Sequence, residues 1–294
     1  MPCPRRRAAL RERLRTGELD ALLITDLLNI RYLTGFTGSN AALLVHAEDD
    51  ERSVFATDGR YDTQSQRQVP DLRRVVDRSI RLQLAKEATE AGISRLGFES
   101  HVVTVDGHAA LVQVTGADRL VATARPVEAL RLVKDDTEVA TLRAACAVAD
   151  TALAGLLADG GLRPGRTERE VARDLEARMV VAGAAGPSFE TIVATGANSA
   201  VPHHRPTGAQ LRRGDLVKLD FGALVDGYHS DRTRTMVLGE PAGWQREIYD
   251  LVAAAQTAGR AALRAGADVR DVDAAARDVI VHAGHGKDFV HSLG

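Results

Sequence analysis

The sequence predicts an α+β protein built from two domains. Three observations predict it: a length of 294 residues, strands alternating with helices up to about residue 130, and a second half in which helices precede a run of strands. Apolar residues make up 45% and charged residues 27% of the chain, as is typical of globular proteins. The predicted domains span residues 1–130 and 131–294.

Short apolar segments organise the first domain. A helix is predicted over 5–16 and another after Arg81. Strands are predicted over 21–24, 41–45, 53–57 and 95–99, and a glycine-punctuated loop over 33–40. This alternation indicates an α/β layer.

The second domain begins after a charged connector at 131–136. Helical spacing from Thr137 to Asp159 predicts a helix capped by Asp135 or Asp136, and Thr167 with Glu170 has the form of a capping box for a helix to about Val181. Strands are then predicted over 189–195 and 216–238, and helices over 245–265 and 269–282.

The net charge, the number of cysteines and the length of the apolar runs disfavour several classes of protein. A net charge of -2 predicts no polyanion-binding surface, so nucleic acid is not an expected partner. Two cysteines, Cys3 and Cys146, are expected to be free thiols. Apolar runs fall short of the roughly 20 residues of a membrane span. We therefore expect no membrane partner and a cytoplasmic location.

A β-hairpin carries the most informative chemistry. Asp226-Gly227 is a strong two-residue turn signal because both residues tolerate positive φ. Taken as the loop, it places Leu224 opposite His229 and Gly222 opposite Asp231. The period of two then puts Asp220 on the same face as Asp231.

The two carboxylates would be diagonal neighbours, with Cα atoms ~7–8 Å apart. That spacing suits a pair of metal ions ~3.5–4 Å apart. Gly222 is expected to leave the space opposite Asp231 empty of side chain, and Thr233, opposite Asp220, to hydrogen-bond a ligating carboxylate. The alternative is a surface hairpin with two solvated aspartates.

A proline-bounded loop at 201–206 precedes the hairpin and contains His203. A histidine above a metal site could act as an acid or base because its pKa lies near neutrality. The alternative is a surface histidine, and His204 beside it is expected to take no part.

These motifs resemble the pita-bread metallopeptidases, which include Xaa-Pro aminopeptidases, prolidases, methionine aminopeptidases and creatinase. The resemblance rests on 189–203, 214–217, 220–222 and 231–235, and the form of 230–235 is closest to the Xaa-Pro branch. Residues 29–39 and 57–61 resemble the N-terminal domain of that branch. The resemblance implies a creatinase-like α/β N-terminal domain followed by an incomplete pita-bread catalytic domain.

The resemblance also implies a site. Asp220 would ligate one metal, Asp231 would bridge both, and His203 would position substrate or move a proton. Two divalent ions are implied, most commonly Mn²⁺, with Co²⁺ or Zn²⁺ as rivals. The implied reaction is metal-assisted hydrolysis of the bond before proline in a peptide, by a homodimer.

The family's ligand set comprises two Asp, one His and two Glu. Residues 288–294 resemble the stretch just before the ligating histidine. Within it, His291 resembles a family histidine that lines the site. The alternative interpretation is that His291 is an ordinary loop histidine without a role in the site. We therefore expect a chain truncated before its last ligands, with exposed strand edges and little peptidase activity alone. A non-catalytic scaffold homologue remains an alternative, and so does a metal-free creatinase-like amidinohydrolase, which the Asp220–Asp231 pair disfavours.

Overall fold

The computed structural model describes residues 2–293. The chain forms two compact units, Met1–Lys134 and Asp135–Gly294. Each unit contains both helices and a sheet, so the α+β class predicted from the sequence is confirmed.

A six-stranded mixed sheet forms the centre of the first unit, in the order β4-β3-β2-β1-β5-β6. β2 pairs antiparallel with β1 and β3, and the other neighbours pair parallel. The strands are β1 Ala21–Ile24, β2 Ala41–His46, β3 Val54–Thr57, β4 Arg73–Val76, β5 Leu96–Glu99 and β6 Leu120–Thr123.

Helices cover both faces of this sheet, so β1 and β2 are buried along their whole length. One apolar cluster includes Leu10 and Ile30, and the other includes Leu84 and Leu111. The helices are α1 Cys3–Thr16, α2 Leu27–Thr34, α3 Asp62–Gln68, α4 Ile80–Glu90, α5 Val105–Thr115 and α6 Pro126–Arg131.

Helix α2 overlaps the start of the predicted loop at 33–40. The Asp26 side chain caps it by accepting from the Asn29 amide, and Gly35 ends it with φ 78°. Its eight residues are too few for a clear helical periodicity, which is why the sequence pattern did not reveal it.

Arg7 of α1 is buried with only 1% of its surface exposed. Its guanidinium donates to Asp50 at 3.0 Å, to Asp71 at 2.7 Å and to the Leu33 carbonyl at 3.0 Å. The buried charge is therefore compensated by two carboxylates and one carbonyl.

The second unit contains two three-stranded sheets, ordered β11-β10-β7 and β12-β9-β8. The capping box at Thr167 forms as the sequence predicted, and Asp135, one of the two predicted caps, begins α7 with a capping box of its own. The elements are α7 Asp136–Ala158, α8 Glu168–Val181, β7 Gly186–Pro187, β8 Ile192–Thr195, β9 Leu216–Phe221, β10 Ala223–Val225, β11 Tyr228–His229, β12 Arg232–Val237, α9 Gly243–Ala262 and α10 Val269–His282.

Helix α7 has 23 residues and is long and apolar enough to cross a membrane, whereas the sequence analysis expected no run of that length. Some of its residues nevertheless pack against the core of the second unit. Leu153 and Leu156 pack in the same cluster as Leu175 of α8 and Phe221 of β9, and Glu138 in its first turn is buried and accepts from the Tyr228 hydroxyl at 2.8 Å.

Part of the second unit exposes a strand edge and large apolar side chains. β12 is an edge strand of its sheet. On α9, Trp244, Tyr249 and Val252 are more than half exposed.

Candidate metal and catalytic site

The predicted hairpin forms with the predicted pairing. Leu224 lies opposite His229, and Thr233 lies opposite Asp220. Asp226 and Gly227 take φ 47° and 82°, the positive values that a two-residue primed turn requires. The register that puts Asp220 and Asp231 on one face is therefore present.

The hairpin is nevertheless divided between two sheets near Gly222. The Ala223 amide donates to the Ser230 hydroxyl at 2.9 Å, and a Cβ atom built on Gly222 would lie 1.8 Å from the Ser230 carbonyl oxygen. The space that Gly222 keeps free of its own side chain is therefore not empty. The backbone of the opposite strand fills that space, and glycine is needed for its close approach.

Strand β9 separates the core from the site by simple alternation. Val217, Leu219 and Phe221 are buried in the core cluster. Because successive side chains point to opposite faces, Lys218 and Asp220 face away from that core.

The environment of Asp220 is unfavourable for a charged carboxylate. Its Oδ1 atom is buried and has no hydrogen-bond partner among the described residues. Burial raises the pKa of Asp220 and the nearby charge of Asp231 raises it further, whereas the Thr233 hydroxyl and the charges of Lys218 and His203 act in the opposite direction. Asp220, Asp231 and His203 therefore lie close enough to interact.

These features fit a divalent cation. A buried carboxylate oxygen without a donor, beside a second carboxylate, is stabilised when a cation neutralises both. Within residues 2–293 no group of three or more His, Cys, Asp or Glu side chains could hold a metal ion. Asp220 and Asp231 can thus supply two ligands of a centre that needs further donors.

The loop that carries His203 is anchored to β9. After a 3₁₀ turn at Gly196–Ala200, the Lys218 ammonium donates to the Val201 carbonyl at 2.6 Å and to the Pro202 carbonyl at 3.1 Å. His203 itself is exposed. The same strand therefore holds Asp220 and the residues just before His203.

A second anchor comes from Glu168, which the sequence analysis missed. Its side chain is fully buried at the start of α8. Burial alone would raise the pKa of Glu168, but hydrogen bonds from Asn198, His204, Thr207 and the Thr195 amide outweigh it and lower the pKa to about 2.

His204, expected to take no part, is one of these donors: its Nε2 atom lies 2.8 Å from Glu168. A glutamate in a first helical turn is common for electrostatic reasons alone, so the sequence pattern contains no signal for this role of Glu168.

His291 is exposed and contacts its own neighbourhood. Its Nδ1 atom donates to the Ser292 carbonyl at 2.7 Å, its ring packs against Phe289, and its carbonyl accepts from Arg277 of α10. None of these contacts is with Asp220, Asp231 or His203. A role for His291 in the site stays a prediction.

Comparisons with known proteins agree with this architecture. Residues 6–133 match the creatinase/prolidase N-terminal domain, and residues 140–294 match metallopeptidase family M24. The uncharacterized peptidase YqhT of Bacillus subtilis is 40% identical over 277 residues, which cover 94% of this chain and 77% of that protein.

Two proteins named for their substrate are also similar. The Xaa-Pro dipeptidase of Pyrococcus furiosus is 40% identical over 168 residues, covering 57% of this chain and 48% of that protein. The solved structure of an Xaa-Pro dipeptidase from Bacillus anthracis superposes with a TM-score of 0.91 at 36% identity, covering 99% of this chain and 80% of that one.

The fold and the two family matches define a protein of the peptidase class with a creatinase-type N-terminal domain. The chain belongs to metallopeptidase family M24. For members of this family a dinuclear metal centre is expected, to which Asp220 and Asp231 are suited.

Proposed function

We propose that the protein hydrolyses the peptide bond preceding proline, as an Xaa-Pro dipeptidase. The observation that carries the proposal is the buried, unpartnered Oδ1 of Asp220 beside Asp231 on a strand that also anchors the His203 loop. The choice of substrate is supported by two similar proteins named Xaa-Pro dipeptidases. The second candidate function is that of an Xaa-Pro aminopeptidase, which acts on longer peptides whose second residue is proline.

In this proposal Asp220 and Asp231 hold divalent cations, most commonly Mn²⁺, with Co²⁺ or Zn²⁺ as alternatives. When bound, the ions supply Lewis-acid polarisation of the scissile carbonyl and an activated water. Thr233 orients Asp220 through its hydroxyl group. His203 is exposed beside the carboxylates, where its imidazole can orient the substrate or move a proton.

His291 is proposed to line the same site. We further propose a homodimer in the cytoplasm; the two cysteines, Cys3 and Cys146, are free thiols, as suits a reducing compartment. Because residues 2–293 offer two carboxylates for the ions, we also propose that a polypeptide of residues 1–294 binds metal weakly and has little activity alone.

The test compares the natural gene product that contains this sequence with a polypeptide of residues 1–294. Bound Mn²⁺ is counted after dialysis, and release of proline from an Xaa-Pro dipeptide is measured. We expect about two ions and metal-dependent hydrolysis in the natural product, and loss of both in Asp220→Asn and Asp231→Asn. Asp226→Asn, in the exposed hairpin turn, is the matched control.

His203→Gln should lower kcat by about 10²-fold at unchanged metal content. Absence of bound ions from the natural product would favour a non-catalytic scaffold. Metal-independent hydrolysis of an amidine substrate would favour the creatinase-like reaction. Rapid proline release by residues 1–294 alone would overturn the expectation of weak activity.

A further inference from the structure

We propose that Glu168 is a positioning residue for His203. Its carboxylate holds together the two ends of the segment 195–207, called here the His203 segment. The inference rests on the proposed function for its catalytic consequence, whereas its structural part can be tested without any hydrolysis.

The first end of the His203 segment is held by one oxygen of Glu168. The Thr195 amide and the Asn198 side-chain amide both donate to Oε1 at 2.9 Å. These contacts fix the point at which β8 ends and the 3₁₀ turn Gly196–Ala200 begins.

The second end is held by the other oxygen. The His204 Nε2 atom lies 2.8 Å from Oε2, and Thr207 donates to the same atom through its amide at 2.9 Å and its hydroxyl at 2.7 Å. One carboxylate therefore closes a loop of about a dozen residues whose described secondary structure is a single 3₁₀ turn.

Both direct neighbours of His203 are anchored. Pro202 on one side is held through its carbonyl by Lys218, and His204 on the other side is held through its ring by Glu168. The backbone of His203 is thus fixed from two different elements, although its side chain remains exposed.

A simple helix-capping role does not account for Glu168. The N-terminus of α8 is capped by Thr167 and Glu170, whose side chains satisfy each other's backbone amides. Glu168 directs its two oxygens to the His203 segment instead. A carboxylate suits this role because it only accepts hydrogen bonds, whereas an amide in its place would turn an NH₂ group toward donors.

The decisive variant is Glu168→Gln, with Glu170→Gln as the matched control. Glu170 lies on the same helix and is exposed, and glutamine is compatible with a capping box. Amide hydrogen exchange is measured on the metal-free natural gene product. We expect exchange in the His203 segment to rise about 10-fold or more in Glu168→Gln, while β9 and the control variant stay unchanged.

The catalytic readout separates positioning from general damage. Glu168→Gln should lower kcat for an Xaa-Pro dipeptide by about 10-fold or more, with unchanged Mn²⁺ content, because Asp220 lies on β9 and Asp231 lies just before β12, outside the His203 segment. A parallel loss of metal would mean that Glu168 supports the whole unit rather than His203. Unchanged exchange and unchanged kcat would overturn the proposal.

Thr207→Val keeps the proposal testable if Glu168→Gln does not fold. It removes one hydroxyl donor with little change in shape, and Thr207→Ser restores that donor. We expect a smaller rise in exchange across the His203 segment in Thr207→Val and recovery in Thr207→Ser. If the wild-type product hydrolyses no Xaa-Pro peptide, the proposed function fails, but the exchange result still decides the role of Glu168.

Discussion

The Ser230 carbonyl oxygen lies where a side chain on Gly222 would begin: a Cβ atom on Gly222 would lie 1.8 Å from that oxygen and 2.9 Å from Ser188 Oγ. To relieve the clash of such a Cβ atom, the Ser230 backbone carbonyl would have to move at the point where the two sheets diverge. We therefore expect Gly222→Ala to lower the free energy of unfolding by about 2–4 kcal/mol, measured by urea denaturation.

The control for that substitution is Gly243→Ala. Gly243 begins α9, and a Cβ atom there meets nothing within 4 Å. Its unfolding free energy should stay within about 0.5 kcal/mol of the wild type, or rise slightly because alanine favours a helix. Equal destabilisation by the two variants would contradict the crowding at Gly222.

Asp220 should destabilise the metal-free protein at neutral pH. Burial and Asp231 raise its pKa, so the folded state disfavours the charged form, and this cost is present above the raised pKa. Asp220→Asn is expected to raise the metal-free unfolding free energy by about 1 kcal/mol and to abolish any stabilisation by added Mn²⁺.

Thermal unfolding with and without Mn²⁺ measures both the metal-free stability and the stabilisation by added metal. Asp226→Asn serves as the control. A metal-free Asp220→Asn protein that melts well below the wild type would show that the carboxylate makes stabilising contacts instead.

Glu168 should contribute to acid sensitivity. Its pKa is about 2 in the folded state against an ordinary 4.5, so its stabilisation is complete above pH 4.5 and is lost as the pH falls toward 2. The shift corresponds to about 3 kcal/mol at neutral pH. The stability gap between the wild type and Glu168→Gln should therefore shrink by about 2 kcal/mol between pH 7 and pH 3.

Urea denaturation at both pH values measures this gap. Glu176→Gln, on the same helix but without these hydrogen bonds, should show no comparable change. A gap independent of pH would mean that the carboxylate charge is not what stabilises the contacts.

Arg7 should be essential for the first unit. Arg7→Met would leave Asp50 and Asp71 without their shared partner and remove the donor to the Leu33 carbonyl. We expect a loss of about 3–5 kcal/mol in unfolding free energy. Arg13→Met, exposed on the same helix, should change it by less than about 0.5 kcal/mol, and similar losses in both variants would contradict the role of the buried Arg7 guanidinium.

Local rules account for what the sequence predicted correctly. The Asp226-Gly227 turn sets the hairpin register, and Thr167 with Glu170 marks the start of α8. Both features depend on residues within a few positions of one another, so sequence patterns suffice to find them.

The features missed depend on residues far apart in the chain. Glu168 meets His204 and Thr207 only after α8 packs beside β8, and Lys218 meets Pro202 only across the loop. The close approach of the Ser230 carbonyl to Gly222 was not predicted, because the divergence of the two sheets at Ser230 is a property of the folded chain.

The shape of residues 195–207 is specified by side chains that lie outside them, on α8 and β9. If this segment is grafted onto another scaffold, Glu168 and Lys218 must be grafted with it. The amino-acid sequence of residues 195–207 alone does not determine their conformation. For the same reason, substitutions in the first turn of α8 are expected to change the position of His203 while the sequence of residues 195–207 stays the same.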